Sequence, residues 1–349
     1  MKTFEYMKKD RVVFFASGDF AIDTFEMLIN NGSNIVGLVT SNDKVKFHKE
    51  TIAEIAYGLN IPTYTVKNNN LEEDEFLYDW LKRVNGDIFC VISFKKLPQN
   101  IIKLAKKCAF NVHASLLPFL RGSAPINWAI RLDYKETGLT AFVLNDKIDC
   151  GDIIANHKVK IATGEKYTTL YKKLSDACVD FTDFVINDIL QEPNWKKHLI
   201  SQPTYSETNE HIHKATKINS KYFECHWKNF YGFEIKSLVD SVDDVGLPCT
   251  INVEDNEHNI TKYPIKIYDV EVLDEEEEDM FVTLKSDGKT YIKLYTLYGS
   301  SCVAIKKIQL VGKKVMDVET FLNGFRYFRE GDNTVYITDL VEDNDIYKQ

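Results

Sequence analysis

Several features that would place a chain in a special class are missing from this sequence. No apolar run approaches the roughly 18 to 20 residues that a membrane-spanning helix needs, so we expect no membrane partner. The seven cysteines lie far apart, with no C-x-x-C pair and no spacing typical of metal ligands. Such cysteines indicate reduced thiols, and no metal site is expected. Residues 1–11 lack the apolar core of a secretory signal, which favours a cytoplasmic protein.

The glycine series that binds dinucleotides is missing as well. Ala16, Ser17 and Gly18 end one predicted strand and open a helix, but they do not continue into G-x-G-x-x-G. What remains is an ordinary globular composition, with 44% hydrophobic and 27% charged residues. A length of 349 residues predicts about two domains.

The net charge of -9 is unevenly distributed. Residues 201–349 hold 17 Lys and Arg against 27 Asp and Glu, so nearly all the acidity lies in the C-terminal part. The run Asp274–Asp279 contains only acidic residues. This part of the chain is therefore not expected to bind phosphates non-specifically.

The first 160 residues alternate short apolar runs with helical patterns. Ligands of open α/β sheets bind at the carboxyl ends of the strands, so the residues that follow Ala16, Ile92 and His113 are candidate site residues. The segments between the apolar runs carry apolar residues at helical spacing, which predicts a Rossmann-like α/β domain with an open, mostly parallel sheet. These predicted helices are Phe20–Asn30, Glu50–Leu59, Glu73–Val84 and Pro98–Lys106. The predicted strands are Arg11–Ala16, Ile35–Val39, Asp87–Ile92 and Ala109–His113.

The chain changes character after residue 190. A polar, irregular stretch with prolines at 193 and 203 predicts a linker. Beyond a helical pattern at Phe230–Val242, five short strands and a last helix at Val318–Tyr327 predict a small barrel-like, OB-like β domain. These strands are predicted at Thr250–Val253, Tyr263–Val272, Met280–Leu284, Thr290–Leu297 and Cys302–Leu310. The predicted divisions are a first domain at 1–192, a linker at 193–228, a barrel at 229–335 and a tail at 336–349.

The most informative segment is residues 109–152. Asn111 and His113 are separated by one residue at the end of a predicted strand, so both side chains lie on the same face of the sheet. A turn that ends in proline follows at Ser115–Pro118. Further on, Asp149 stands two residues before Gly151, which lets the backbone turn sharply beside it.

These residue types suit acyl transfer to an amine. An amine that attacks a formyl carbonyl creates an oxyanion and an ammonium that must lose a proton. Asn111 has an amide donor for the oxyanion, and His113 can hold or relay charge near neutral pH. Asp149 can orient the imidazole or accept the proton. Taken singly, each has a plainer interpretation: a hydrogen-bonded core pair for Asn111 and His113, a helix cap for Asp149, and a surface cation for Arg121.

The whole segment closely resembles the folate-dependent formyltransferase family. That family carries Asn-x-His, Ser-Leu-Leu-Pro, Arg-Gly-x-x-Pro-Ile and Asp-x-Gly-Asp in this order, and here they stand at 111–113, 115–118, 121–126 and 149–152. The resemblance implies that Asn111, His113 and Asp149 are the catalytic trio, that 10-formyltetrahydrofolate is the formyl donor, and that no metal is required. It also implies that the folate pterin binds against the backbone of Ile92, Phe94, Leu97, Ser115, Leu116, Leu117 and Pro118.

Other segments resemble the branch of this family that acts on tRNA. Residues 16–21 (ASGDFA) are similar to the family's first turn, and residues 309–316 (QLVGKKVM) and 321–326 (FLNGFR) are similar to the end of its C-terminal barrel. This resemblance implies that the acceptor is initiator tRNA charged with methionine, which serves translation initiation, and we expect a monomer. It implies substrate-binding roles for Asp19, Phe20, Arg121, Lys44 and Lys46.

Two departures leave other acceptors open. The loop Thr40–Glu50 is shorter than in the tRNA branch and lacks Arg and Gly, although its lysines can still contact phosphates as point charges. The acidic C-terminal part opposes a polyanion unless basic residues form a stripe there, for which the candidates are Lys306, Lys307, Lys313, Lys314, Arg326 and Arg329. The alternatives are an N-formyltransferase acting on a nucleotide-linked amino sugar and a hydrolase-like enzyme that uses water. A non-catalytic folate- or RNA-binding module would have lost the trio, which is intact.

Overall fold

The computed structural model describes residues 9–41, 44–67, 70–203, 214–225, 227, 230–275, 284–295, 302–328 and 334–339. Its internal contacts divide the chain into two units. The first comprises Met1–Pro125, Glu136–Lys160 and Tyr171–Thr216, and the second comprises Ile126–Lys135, Ile161–Leu170 and Lys217–Gln349. Two short segments of the N-terminal half therefore belong to the second unit.

The first unit contains a seven-stranded sheet and a separate two-stranded pair. The strands are β1 (Arg11–Ala16), β2 (Asn34–Ser41), β3 (Thr63–Val66), β4 (Ile88–Ile92), β5 (Cys108–His113), β6 (Arg121–Gly122), β7 (Glu136–Val143), β8 (Ile153–Lys160) and β9 (Lys214–Ala215). The helices of this half of the chain are α1 (Ile22–Asn30), α2 (Ile52–Gly58), α3 (Glu75–Val84), α4 (Gln99–Ile102), α5 (Pro125–Arg131) and α6 (Tyr167–Asn187).

The large sheet has the strand order β3-β2-β1-β4-β5-β7-β8, and the small pair joins β6 to β9. The first five strands of the large sheet are parallel, β7 is antiparallel to β5, and β8 is antiparallel to β7. All five residues of β4 are buried, as expected for a strand that is covered on both faces. Phe15 of β1 packs on Phe89 of β4 with ring centroids 5.2 Å apart. Because parallel strands end at the same edge, the carboxyl ends of β1, β2, β4 and β5 are neighbours.

Side-chain caps define where the helices around this sheet begin. Thr51 Oγ1 accepts a hydrogen bond from Glu54 N at 3.3 Å, and the Glu54 carboxylate accepts one from Thr51 N at 2.7 Å, so α2 begins at a capping box. Asp74 accepts from Leu77 N at 2.9 Å and starts α3. That helix ends at Asn85, whose φ of 57° is left-handed.

In the residues that the structure describes, the C-terminal part of the second unit is an antiparallel sheet with two α-helices. Its elements are α7 (Gly232–Asp240), β10 (Leu247–Glu254), β11 (Ile260–Leu273), β12 (Leu284–Ser286), β13 (Ile292–Tyr295), β14 (Cys302–Leu310), β15 (Met316–Asp317), α8 (Val318–Gly324) and β16 (Thr334–Asp339). The strand order is β12-β13-β14-β11-β10-β16, with β15 paired to β14. The end strands β12 and β16 lie near each other, so the sheet is a nearly closed barrel. Trp128 of α5 packs on its core through the Tyr222 ring, with centroids 5.0 Å apart.

The predicted fold class, a mostly parallel α/β sheet followed by a small barrel, is confirmed. β1 and β14 have the predicted bounds, whereas β7 and β8 were not predicted. The predicted helix Pro98–Lys106 is too long, because only Gln99–Ile102 is α-helical before the chain turns into β5. β16 continues past residue 335, where the barrel was predicted to end. The predicted strand Met280–Leu284 lies, apart from Leu284, outside the described residues.

Within the described ranges, no helix is long and apolar enough to cross a membrane.

Candidate active site

Asn111 and His113 lie on β5, at the edge of the sheet where the parallel strands end. Asn111 stands between Val91 of β4 and Phe142 of β7 in the strand register. The alternation of the strand puts both polar side chains on one face and buries Val112 on the other. Asn111 is half-buried, and its amide group makes no hydrogen bond to the part of the chain that the structure describes. An amide donor is therefore available at this edge.

His113 is held in one orientation by the backbone. Its side chain is buried, and Nε2 lies 2.8 Å from the carbonyl oxygen of Leu120. A carbonyl oxygen only accepts, so Nε2 carries a proton. Leu120 itself has a left-handed φ of 55°. On the other side of the imidazole, Nδ1 lies 3.9 Å from Asp149 Oδ2, within range of an ion pair when the ring is protonated.

Asp149 stands in a tight turn between β7 and β8. Its φ is 52°, and its Oδ2 accepts a hydrogen bond from Gly122 N at 2.9 Å. Gly151 is required in this turn because a Cβ there would lie 1.6 Å from the carbonyl oxygen of Val143. The close approach of Gly151 to β7 thus contributes to the position of the Asp149 carboxylate opposite His113. The three residues predicted to act together are brought together.

Gln202 secures this turn from a part of the chain predicted to be a linker. Its Nε2 donates to the carbonyl oxygens of Asp149 at 3.1 Å and Gly151 at 2.7 Å. Its Oε1 accepts from Arg121 Nη2 at 2.5 Å and from Nε at 3.2 Å. Arg121 is buried and also donates to the carbonyl oxygen of Pro203. The Arg121 guanidinium, predicted to bind substrate, therefore has internal partners.

Thr140 of β7 holds the turn that follows β5. Leu117 N donates to Thr140 Oγ1 at 3.0 Å, and the Thr140 hydroxyl donates to Ser115 O at 2.7 Å. The Ser115 hydroxyl donates to Phe119 O at 2.6 Å, and the Leu117–Pro118 peptide bond is cis. Phe119 N donates to Leu116 O at 3.1 Å. Several backbone N–H and C=O groups of the predicted folate-binding turn are thus already hydrogen-bonded to other parts of the protein.

The segment after β4 has open backbone groups. Ile92 and Leu97 are buried, and Phe94 packs on Phe15 with ring centroids 5.9 Å apart. The N–H and C=O groups of Phe94, Lys96 and Leu97 form no hydrogen bond with any other residue that the structure describes. A strip of unpaired donors and acceptors at a strand edge suits a flat heterocycle that carries both kinds of group.

Comparison with known proteins identifies the family of the chain. Residues 10–181 match the formyl transferase family, and residues 217–326 match the formyl transferase C-terminal domain. The methionyl-tRNA formyltransferase of Azobacteroides pseudotrichonymphae genomovar. CFP2 is 32% identical over 329 residues, which cover 91% of this chain and 97% of that protein. The chain belongs to the formyl transferase family.

Other relatives extend the comparison over nearly the whole chain. The methionyl-tRNA formyltransferase of Flavobacterium johnsoniae is 31% identical over 333 residues, covering 93% of this chain and 99% of that protein. Among solved structures, the sugar 3N-formyl transferase WlaRD, determined in the presence of dTDP and 5-N-formyl-THF, has a TM-score of 0.60 at 16% identity, covering 88% of this chain and 100% of that one. HypX from Aquifex aeolicus in complex with tetrahydrofolic acid has a TM-score of 0.55 at 13% identity, covering 94% and 51%. At these identities the two structures show a shared fold.

In this formyltransferase, the loop that follows β2 folds back on Asp19. The buried Asp19 carboxylate accepts hydrogen bonds from Lys46 N at 2.7 Å through Oδ2, and from Phe47 N and His48 N at 3.0 Å through Oδ1. Burial alone would raise the pKa of Asp19, but these bonds outweigh it and lower the pKa. Asp19, predicted to bind substrate, therefore anchors the loop that carries Lys44 and Lys46.

His48 closes this anchor and was not predicted from the sequence. Its Nδ1 lies 3.0 Å from Asp19 Oδ1, and its Nε2 lies 3.1 Å from Asp23 Oδ1. Ionised carboxylates only accept, so both ring nitrogens donate and the imidazole is charged. Burial would lower the pKa of His48, but the bonds to Asp19 and Asp23 outweigh it and raise the pKa. The one signal in the sequence is that Asp19 and Asp23 are four residues apart, as on one face of a helix.

The remaining predicted substrate residues differ in exposure. The Phe20 ring is buried and lies edge-on to Tyr171, with centroids 5.3 Å apart. Lys44 and Lys46 are exposed, and Lys46 Nζ lies 5.6 Å from the centroid of the Phe47 ring. The two lysines thus lie at the surface, whereas Phe20 contributes to the core.

The predicted basic stripe of the second unit is only partly available. Lys306 Nζ lies 2.6 Å from Glu271 Oε2, so its charge is paired. Arg329 lies outside the described residues. The other candidates are exposed; they are Lys307, Lys313, Lys314 and Arg326.

Proposed function

We propose that this chain transfers the formyl group of 10-formyltetrahydrofolate to the amino group of methionine carried by initiator tRNA. The arrangement of Asn111, His113 and Asp149 at one strand edge is the observation that carries the reaction. Similarity to methionyl-tRNA formyltransferases over more than nine-tenths of the chain supports this acceptor. The match includes the C-terminal unit, residues 217–326 of which match the formyl transferase C-terminal domain.

Asn111 would stabilise the oxyanion that forms when the amine attacks the formyl carbon. Its amide group has no internal partner in the described chain, so it can donate without first breaking a bond. The buried imidazole of His113, whose Nε2–H is bonded to Leu120 O, would interact with the oxyanion through its Nδ1 side, on the same face of the sheet. Removing one such donor typically costs on the order of 10²–10³ in turnover.

Asp149 would serve both His113 and the amine. Its Oδ2 faces His113 Nδ1 at 3.9 Å and stabilises the imidazolium. Its Oδ1 makes no hydrogen bond to the described residues, so it can accept the proton that the attacking amine loses. The new C–N bond forms at the amine, the bond from the formyl carbon to N10 of the folate breaks, and N10 takes up a proton.

The residues after β4 would hold the pterin ring. The open backbone groups of Phe94, Lys96 and Leu97 match the donors and acceptors on the edge of a pterin. The buried side chains of Ile92 and Leu97 supply an apolar wall beside them. The turn at residues 115–118 would contact the pterin mainly through van der Waals packing. Several of its polar groups are already hydrogen-bonded to Thr140 and Phe119.

Single-turnover formyl transfer tests this function directly. The donor is 10-formyltetrahydrofolate, and the acceptors are methionyl initiator tRNA, a panel of nucleotide-linked amino sugars, and water. We expect transfer to the tRNA, at a rate that Asp149→Ala lowers by roughly 10²-fold or more. Asp146→Ala, an exposed change in the same loop, is the matched control. Transfer to a sugar alone would refute initiator tRNA as the acceptor. Hydrolysis of the donor alone would refute the transferase activity.

A further inference from the structure

A cavity of about 190 Å³ opens at the carboxyl ends of β1 and β2, along the same sheet edge as Asn111 and His113 but two strands away from them. Its lining combines an apolar part with hydroxyl groups and a bare backbone. A Cβ built on Gly18 would meet nothing within 4 Å, so this glycine borders open space. The lining residues include Gly18, Thr40, Ser41, Val45, Ile52 and Ala53.

The cavity wall that contains Val45 is held in place by hydrogen bonds from the loop after β2 to the Asp19 carboxylate. Lys46 N, the next backbone donor after Val45, binds the Asp19 carboxylate at 2.7 Å, and His48 locks the same carboxylate from the side. Lys44 and Lys46 flank Val45 in sequence and are exposed. The cavity therefore has an apolar wall with a cation on either side of it.

The position of the cavity limits what it can hold. Strand β1 is two strands away from β5, and neighbouring strands are about 4.8 Å apart, so the near side of the cavity is roughly 10 Å from Asn111. The methyl end of a methionine side chain lies five bonds from its amine, about 6 Å at full extension. A methionine whose amine reacts beside Asn111 is too short to fill this cavity.

The next group along the acceptor has the required reach. In an aminoacyl-tRNA the adenine ring begins seven bonds from the amine, after the ester and the ribose, which is about 8 to 9 Å. The volume is below the roughly 300 Å³ at which drug-sized sites begin, and it suits one bicyclic base. The phosphate next to the terminal nucleoside would meet the ammonium groups of Lys44 and Lys46.

We propose that this cavity binds the terminal adenosine of the aminoacyl-tRNA. The inference rests on the proposed function and adds to it: the chain recognises the nucleoside that carries the amino acid, separately from methionine. The loop after β2, short as it is, then contributes a base pocket and two phosphate contacts.

Three acceptors separate the adenosine from the rest of the substrate. Single-turnover rates are measured with methionyl-tRNA, with 3′-O-methionyl-adenosine and with methionine methyl ester, all with 10-formyltetrahydrofolate as donor. Burial of a base-sized apolar surface predicts that the wild-type protein prefers the adenosine ester to the methyl ester by on the order of tenfold to a hundredfold. Free AMP should inhibit the reaction with the adenosine ester by competition.

Filling the cavity should remove the preference for the adenosine ester and leave the reaction with the methyl ester unchanged. Ala53→Phe places a ring in the cavity, so the ratio of the two small acceptors should fall to about one while the methyl ester rate is retained. Leu59→Phe adds similar bulk at the far end of α2, outside the lining, and should keep the wild-type ratio. Val45→Trp repeats the test from the loop after β2 should Ala53→Phe fold poorly, as judged by its melting temperature.

An unchanged ratio in both filled variants would overturn the adenosine site. Parallel loss of the methyl ester reaction would also overturn it, because the cavity would then serve the methionine or the reaction itself. Absence of transfer from the wild-type protein to every methionyl acceptor would instead refute the proposed function. The ratio of the adenosine ester rate to the methyl ester rate thus tests adenosine binding in the cavity. The absolute rate with methionyl acceptors tests the proposed formyl transfer.

Discussion

Replacing Gly151 with alanine tests how Asp149 is positioned. A Cβ at residue 151 would lie 1.6 Å from the carbonyl oxygen of Val143 and 2.8 Å from its carbonyl carbon. Side-chain Cβ atoms essentially never come closer than 3.0 Å to such atoms, so the turn must move away from β7 by roughly 1.4 Å, the difference between the two distances. The Asp149 carboxylate would move with the turn, away from His113.

The size of this shift sets the expected effect of Gly151→Ala. A misplacement of about 1 Å in a catalytic group costs about 10²-fold in rate, so turnover should fall by that factor or more. Overpacking of this kind typically costs about 1–3 kcal/mol of stability, which a thermal melt would detect. The affinity for 10-formyltetrahydrofolate should stay near the wild-type value, because the open backbone at residues 94–97 lies outside this turn.

A second glycine provides the control for this experiment. Gly324 ends α8, and a Cβ there meets nothing within 4 Å, so Gly324→Ala should leave turnover unchanged. Single-turnover assays and melts on both variants complete the comparison. Wild-type turnover in a folded Gly151→Ala protein would refute the view that the approach of this turn to β7 positions the carboxylate.

Three further predictions follow from the same contacts. Asn111→Ala should lower single-turnover formyl transfer by roughly 10²-fold with an unchanged melting temperature, and a wild-type rate would remove its role as an oxyanion donor. Gln202→Ala should lower the free energy of unfolding in urea by about 1–3 kcal/mol, because it leaves the buried Arg121 guanidinium short of an acceptor; unchanged unfolding would contradict this. The pKa of His48 is raised above its ordinary 6.5, so its contribution to anchoring the loop is complete below that pH and is lost as the pH rises through the folded-state pKa. Hydrogen-exchange protection of the Phe47 and His48 backbone N–H groups should decline over that pH range. The same decline in the His48→Leu variant would show that titration of the His48 imidazole is not its cause.

Short-range patterns in the sequence were sufficient to place Asn111 and His113 together, whereas the catalytic role of the trio was implied by the resemblance and stays a prediction. Asn111 and His113 share a face because a strand alternates, and the apolar run before them identifies the strand. The order of motifs at 111–152 then linked Asp149 to them, although it is 36 residues beyond His113. The central strands were equally predictable, since continuous apolar runs such as that of β4 are typical of strands covered on both faces.

The supporting residues were not predictable because their roles depend on contacts across the fold. Gln202 is 53 residues from Asp149, in a polar stretch that resembles any linker. Thr140 lies in an antiparallel strand whose alternation is weak beside the apolar runs of its neighbours. Asp19 and Arg121 were predicted to bind substrate, but nothing in the sequence shows that their charges are met by other parts of the protein.

The position of Gln202 has a consequence for how the enzyme is made. The segment that matches the formyl transferase family ends at residue 181, yet Gln202 clamps the Asp149 turn, and Ala215 O accepts the hydrogen bond from Ser123 N at 2.8 Å. A nascent chain that has left the ribosome only as far as α6 already contains the trio but lacks these clamps. Catalytic competence should therefore appear during synthesis only after residue 215 has emerged, and a fragment that ends at residue 190 should be a folded sheet with an unformed catalytic turn.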